Sequence, residues 1–341
     1  MGKPRLDFFR FPLNHNSGEF KTFRNFMIEN RGCKKTDSDT TIFQEIFKYF
    51  MNAPQKDFAK NNRLKKVFTL IKNKTINKHY DKRPSIHSND FIFSGVITGG
   101  AYGKERILSD LEDKTASEKV KATQPVLQYY YIFVYIPVNH NEGFFMIHSN
   151  GPDESISNLM RNYIASLFKK GEYNKPIMQS FCPKDFQSEF KENALIKNFS
   201  FKTTIIDNQI NENNPIKDLI SEYDIKIEAI PKNKEIPIDS ANIIMGYFRN
   251  KIFGKNDYNK RLDEFENVKM SAKNKETNSS KTFEWNLKDE EFIPVVFLKG
   301  RILFEEDDTP NFESLKKYCE NLFNDTILKE IRKDLDVRRI N

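Results

Sequence analysis

The chain has 341 residues, of which 38% are hydrophobic and 30% are charged, and it carries a net charge of +7. This composition excludes a disordered chain, and the length is sufficient for two or three domains with a sizeable core. The three cysteines, Cys33, Cys182 and Cys319, are odd in number and far apart, which argues against a disulfide framework and against a structural zinc site.

The first 88 residues are predicted to hold one strand followed mainly by helices. Four apolar residues recur at helical spacing within 57–72, which is typical of an amphipathic helix with one buried stripe. The stripe consists of Leu64, Val67, Phe68 and Ile71. The expected elements are a strand at 7–13 and helices at 19–30, 39–51 and 57–72.

From residue 90 onward the pattern changes to aromatic and β-branched runs. Residues 129–138 and 143–149 flank a polar loop of four residues, which predicts a β-hairpin. Both faces of 129–138 are apolar, so we expect a central strand that is covered on both sides. A strand is also expected at 91–98, and an apolar stripe over 156–168 predicts a helix.

The polar stretch 207–215 is the best candidate for a linker. After it we expect strands at 224–230, 264–270, 282–287 and 292–304, a helix at 240–253, and a final helix that begins near residue 309. The segments therefore predict an α+β fold with mixed or mainly antiparallel sheets and packed helices. The expected divisions are a mostly helical, basic region 1–88, an α+β domain 89–207 and a second α+β domain 215–341.

The positive charge is concentrated in residues 56–83, which hold ten Lys and Arg against two Asp, whereas the other 313 residues together carry a charge of −1. A basic helix face here would neutralise phosphates and release their counterions. An acidic protein would be attracted by the same charge, and a solvated face without a partner is the third interpretation. The candidate nucleic-acid contacts are Lys60, Arg63, Lys65, Lys66, Lys72, Lys74, Lys78 and Arg83.

A glycine-rich segment follows the strand at 91–98 and could contact a phosphate backbone or a partner. It departs from the phosphate-loop pattern GxxxxGK[ST], because Thr98 replaces the first Gly and Glu105 replaces the hydroxyl residue. A tight turn that requires positive φ is the structural interpretation of these glycines. The candidate loop residues are Gly99, Gly100, Tyr102, Gly103, Lys104 and Arg106.

No motif for catalysis, a metal or a cofactor emerges from the sequence. The HExxH and GxSxG patterns are absent, and the five histidines lack metal-ligand spacing. The acidic run 305–308 precedes a predicted helix, where the helix dipole favours negative charge. We therefore predict neither a cofactor nor a metal site, and enzymatic activity stays an open question that leans towards none.

These features favour a cytoplasmic protein without a membrane segment that binds DNA or RNA through its basic segment. The longest apolar run, 129–138, is about half of what a membrane span needs. Two alternatives stay open: a metal-dependent nuclease or phosphodiesterase whose site forms only in the fold, and an interaction subunit that docks on an acidic protein. The composition would suit a bacterial accessory or mobile-element gene, such as a phage-defence component.

Overall fold

The computed structural model describes residues 4–75, 77–110, 112–113, 115–151, 155–205, 223–232, 235–248, 267–275, 280–284 and 296–332. The chain forms two compact units, of which unit 1 comprises Met1–Phe181 with Val295–Asn341 and unit 2 comprises Cys182–Pro294. The expected divisions at 1–88, 89–207 and 215–341 do not coincide with these units. The proposed linker 207–215 lies outside the described residues.

Unit 1 contains both strands and helices, and most of its strands follow one another directly along the chain. Short 3-10 and π-helical segments occur at Tyr80–Lys82 and Phe323–Ile327. The elements are β1 Arg5–Pro12, β2 Asn14–His15, α1 Phe23–Arg31, α2 Asp39–Lys56, β3 Ala59–Asn61, β4 Lys66–Thr69, β5 Ser85–His87, β6 Ile92–Ala101, β7 Arg106–Ser109, β8 Ser117–Val120, β9 Val126–Tyr135, β10 Glu142–Ser149, α3 Ser157–Leu167, β11 Tyr173–Asn174, β12 Gln179–Phe181, and, after unit 2, β17 Val296–Phe297, α6 Phe312–Leu322 and α7 Leu328–Ile331.

One antiparallel sheet of nine described strands forms the centre of unit 1. Its main order is β12-β1-β10-β9-β6-β4-β3. In addition, β17 pairs with β1 on the same edge as β12, and β5 pairs with β6 on the same edge as β4. The long central pairs are β6 with β9 over ten residues and β1 with β10 over eight. The predicted hairpin of β9 and β10 is confirmed, although its connection spans 136–141 and is longer than the expected four residues.

Both faces of this sheet are covered by helices. On one face, Tyr130, Ile132 and Val134 of β9 belong to the core that also includes residues of α1, α2 and α3. On the other face, the rings of Phe133 and Tyr135 lie 5.0 and 4.9 Å from the ring of Phe323, at the end of α6. The prediction of a central strand covered on both sides is therefore confirmed.

The predicted basic helix at 57–72 is wrong, because this segment forms the β3–β4 hairpin. Ala59 pairs with Phe68 and Asn61 with Lys66, and β4 continues the pairing to β6. Lys65, in the loop of the hairpin, has a φ of +52°, which a helix cannot accommodate. Val67 and Phe68 are adjacent buried residues of β4 that point to opposite faces of the sheet, both of which are covered. Two adjacent apolar residues also occur in the stripe of an amphipathic helix, so the two structures share this pattern.

Unit 2 contains a four-stranded antiparallel sheet in the order β14 (Tyr223–Ala229), β13 (Ala194–Ile205), β15 (Asn267–Asn274) and β16 (Ser280–Glu284). The helix α5 (Ala241–Tyr247) covers one face of the sheet with Ala241 and Met245, which are buried with Phe199 and Phe201. The expected strands at 224–230, 264–270 and 282–287 each overlap an observed one. The elements are α4 Lys184–Asn193, β13 Ala194–Ile205, β14 Tyr223–Ala229, α5 Ala241–Tyr247, β15 Asn267–Asn274 and β16 Ser280–Glu284, with a 3-10 turn at Ile238–Ser240.

Taken together, the two units have an α+β fold with antiparallel sheets and packed helices, as predicted. The basic, helical N-terminal region is the exception, since its helices α1 and α2 precede the basic segment, which is a hairpin. No helix in the described ranges has both the length and the apolar character needed to cross a bilayer.

Candidate nucleic-acid interface

The hairpin that carries the first basic residues owes its turn to local polar contacts. The side chain of Asn61 accepts a hydrogen bond of 3.0 Å from the backbone N–H of Leu64. This Asx-type contact and the left-handed Lys65 close the loop 62–65. The turn leaves Lys60, Arg63 and Lys65 exposed to solvent at the edge of the sheet.

The predicted glycine loop is only partly a loop. Gly99 and Gly100 lie inside β6, where they pair with β4 on one side and β9 on the other. A Cβ atom on Gly100 would lie 1.8 Å from the carbonyl oxygen of Val126, and one on Gly99 would lie 2.9 Å from that of Val67. These two glycines therefore allow close strand packing, and the prediction that they form a phosphate or partner loop is wrong.

The turn itself begins after β6, and it contacts the basic hairpin. The backbone N–H of Tyr102 donates a hydrogen bond of 3.0 Å to the carbonyl of Lys65. The ammonium of Lys65 lies 5.7 Å from the ring centre of Tyr102, whose hydroxyl donates to the side chain of Asn62 at 2.8 Å. Gly103 has a φ of +94°, so the positive φ expected of this segment occurs here.

This contact brings together residues of the two predicted sets that are separated in sequence. Lys104 and Arg106 continue the chain from the turn, and both are exposed. Among the described residues, no carboxylate forms an ion pair with any cation of this group. We call this group the basic edge, and it consists of Lys60, Arg63, Lys65, Lys104 and Arg106.

Other predicted cations are occupied by the protein itself. Lys78 forms an ion pair of 3.4 Å with Asp307, in the acidic run before α6. The neighbouring Lys82 is 3.7 Å from the carboxylate of Glu313. The C-terminal part of unit 1 therefore neutralises these two lysines, which removes Lys78 from the set of freely available cations.

Three more of the predicted cations donate hydrogen bonds to backbone carbonyls. The ammonium of Lys66 donates to the carbonyl of Ser155, and that of Lys72 donates to the carbonyl of Lys56 at 3.1 Å. Arg83 stacks on the ring of Tyr80 at 3.9 Å and donates to its carbonyl. Lys74 is exposed in the segment after β4, and the structure does not bring it to the basic edge.

The fold places two cations beside Arg63 that were not among the predicted contacts. Arg161, on α3, and Lys175, after it, line the same cavity as Arg63. They lie about a hundred residues away in sequence, so no local pattern links them to the hairpin. One feature of the sequence could have identified Arg161 as a candidate: it is a cation that lies between apolar residues of the stripe of a predicted helix.

Within the part of the chain that the structure describes, no group of three or more His, Cys, Asp or Glu residues is arranged to hold a metal ion. The alternative of a metal-dependent nuclease or phosphodiesterase stays a prediction. Comparisons of the chain with protein-family models, with curated proteins and with solved structures found no match.

Proposed function

We propose that this protein binds nucleic acid through the basic edge, at the contact between the β3–β4 hairpin and the turn after β6. The observation that carries the proposal is the absence of ion pairs, among the described residues, for five cations drawn from two separate chain segments. A cation that is already paired with a carboxylate must break that pair before it can bind a phosphate. The basic edge needs no such exchange.

Phosphates are the ligand that suits this surface. Each cation that neutralises a phosphate releases condensed counterions, which makes binding favourable and strongly dependent on salt. Tyr102 adds a partly exposed ring beside Lys65, and aromatic rings of this kind stack on unpaired bases. Contacts of this type position a strand without reading its sequence. We therefore expect little preference for sequence.

The test is fluorescence anisotropy with labelled single- and double-stranded DNA and RNA over a series of salt concentrations. The variant Lys60→Ala/Lys65→Ala removes two cations of the basic edge that have no carboxylate partner in the described part of the chain. The variant Lys78→Ala/Lys82→Ala is a matched control, because it changes the net charge equally but removes lysines that are paired with Asp307 and Glu313.

We expect Lys60→Ala/Lys65→Ala to bind nucleic acid more weakly than the wild type does. The slope of the logarithm of its association constant against the logarithm of the salt concentration should also be smaller in magnitude. The reduction should be about 1.8 for duplex DNA and about 1.4 for a single strand, since each neutralised phosphate contributes about 0.9 or 0.7. The control should keep the slope of the wild type. Equal losses in both variants, or no binding near physiological salt, would contradict the proposal.

A protein partner is the second candidate function, and one observation favours it. The ribbon of β7 and β8 exposes two large apolar side chains, Ile107 at 74% and Leu108 at 52%. Successive side chains of a strand point to opposite faces, so the ribbon exposes one apolar side chain on each face, where a partner can cover it. A pull-down with wild type and Ile107→Ser/Leu108→Ser tests this function: a partner that is retained by both proteins, or by neither, would contradict it.

A further inference from the structure

A cavity of about 540 Å³ opens between the loop of the β3–β4 hairpin, the helix α3 and the segment that precedes β12. Three cationic side chains, those of Arg63, Arg161 and Lys175, line it. Three carboxamides complete its polar lining, and no Asp or Glu belongs to the lining that the described residues form. Its size lies within the usual range for small-ligand sites. The carboxamides are those of Asn61, Asn158 and Asn162.

Neutral acceptors hold two of these cations in place. Arg161 donates to the side chain of Asn158 at 3.3 Å and to the carbonyl of Met178 at 3.0 Å. Its guanidinium also lies 5.0 Å from the ring centre of Phe9. Lys175 donates to the side chain of Asn162 at 3.0 Å. Because these partners carry no charge, both cations are oriented while their positive charge remains available.

Among the described residues, the charge of Arg161 is compensated only in part. The guanidinium is half-buried, and burial lowers its pKa, which the carboxylate of Asp7 counteracts only in part. Asp7 itself is engaged by Arg5 at 3.4 Å and by the hydroxyl of Ser157 at 2.8 Å. A partly desolvated cation that lacks a close counterion favours the entry of an anion.

We propose that this cavity binds the phosphate monoester of a nucleotide, presented at the end of a nucleic-acid strand that lies along the basic edge. That the phosphate is carried by a nucleic-acid strand rests on the proposed function. Three cations suit a monoester, which carries a charge of about −2 at neutral pH, better than a phosphodiester with its single charge. Arg63 belongs both to the cavity and to the basic edge, so it connects the two sites.

The remaining wall of the cavity is apolar. Leu64, Ile177 and Met178 contribute to it, and Ile177 is 68% exposed. A wall of this kind can contact the sugar or base that carries the phosphate, whereas inorganic phosphate gains nothing from it. The cavity should therefore prefer a nucleoside monophosphate to inorganic phosphate.

The test uses short oligonucleotides with a central label that carry a 5′-phosphate, a 3′-phosphate or hydroxyls at both ends, together with free adenosine monophosphate measured by calorimetry. The variants are Lys175→Gln and Arg161→Gln. Lys170→Gln is the matched control, because Lys170 is also exposed and donates to a neutral acceptor, the carbonyl of Asn30. Circular dichroism verifies the fold, and Lys175 is exposed enough that its replacement leaves the core intact.

We expect one phosphorylated end to improve binding about tenfold, as a charge-assisted contact does. Lys175→Gln should abolish this preference and Lys170→Gln should keep it. Equal affinity of all three oligonucleotides, without binding of the free monophosphate, would overturn the inference even if the strands bind along the basic edge. If the free monophosphate binds in a Lys175-dependent manner while the hydroxyl strand does not bind, the cavity is confirmed and the proposed function fails.

Discussion

Replacement of His148 should remove a large part of the sensitivity of this protein to acid. His148 lies in β10 and is completely buried, with its ring 6.1 Å from the ring of Phe312. Burial disfavours the charged imidazolium and lowers the pKa of His148 to about 3, and the side chain of Asn150 opposes this effect only in part. In the unfolded chain the pKa of a histidine is about 6.5.

The sign of the effect follows from proton binding. Between pH 6.5 and pH 3 the unfolded state binds one more proton at His148 than the folded state does. The free energy of unfolding therefore falls as the pH drops below 6.5, by about 1.4 kcal/mol for each pH unit. Between pH 7.5 and pH 5.0, the loss from this residue is about 2 kcal/mol.

His79 should contribute a similar loss over the same interval. It is buried between the rings of Tyr129 and Phe312, at 4.6 and 4.7 Å. Burial, followed by the nearby charges of Lys78 and Lys82, lowers the pKa of His79 to about 4. The two histidines together should cost the folded state about 4 kcal/mol at pH 5.0 relative to pH 7.5.

The assay is urea unfolding followed by circular dichroism at pH 7.5 and 5.0 for the wild type, His148→Phe and His79→Phe. The difference between the two pH values within one variant cancels any change in packing. We expect this difference to shrink by about 2 kcal/mol in each variant, because each replacement removes one buried imidazole. If His148→Phe keeps the full difference of the wild type, the reasoning is refuted.

Three further predictions concern stability and can be measured by the same unfolding assay at neutral pH. Gly100→Ala should cost at least about 3 kcal/mol, because the carbonyl of Val126 lies 1.8 Å from the position of the new Cβ and cannot yield without breaking the β6–β9 pairing; a cost below 1 kcal/mol would contradict this packing. Thr22→Ala should cost about 1 kcal/mol, since Thr22 and Asn25 form a capping box at the start of α1; an unchanged midpoint would show that the cap is dispensable. Phe323→Ala should cost about 3 to 5 kcal/mol, because its ring packs against two aromatic rings of β9, and a surface-like cost would show that this face of the sheet is not a core.

The elements that could be predicted from the sequence are those with a long pattern that nearby residues also support. The helix α3 was predicted from the apolar stripe over 156–168, and it spans Ser157–Leu167. The hairpin of β9 and β10 was predicted because both strands are aromatic and β-branched. Each of these signals depends on neighbours within a few residues, which is the range over which a sequence pattern can be interpreted.

The structure of the basic segment was predicted wrongly because it depends on partners that are distant in sequence. A strand that is covered on both faces buries adjacent residues, so Val67 and Phe68 produce the same apolar spacing as a helix. The pairing of β4 with β6 decides between the two structures, and it joins residues that lie about thirty positions apart. Gly99 and Gly100 were misassigned for the same reason, since their neighbours across the sheet explain them better than a turn does.

The distribution of ion pairs decides what the basic segment can bind, and this distribution exists only in the fold. Lys78 and Lys82 are equivalent to Lys60 and Lys65 in sequence, yet the carboxylates of Asp307 and Glu313 neutralise only the first pair. The charge of +8 over 56–83 therefore overstates the free charge of that segment by two, whereas its other cations have no carboxylate partner among the described residues. The fold brings the turn after β6 to Lys65 and so adds Lys104 and Arg106 to this surface, a juxtaposition that no local sequence pattern indicates. A salt slope that reports the neutralised phosphates measures the size of that surface directly, because paired lysines contribute little to it.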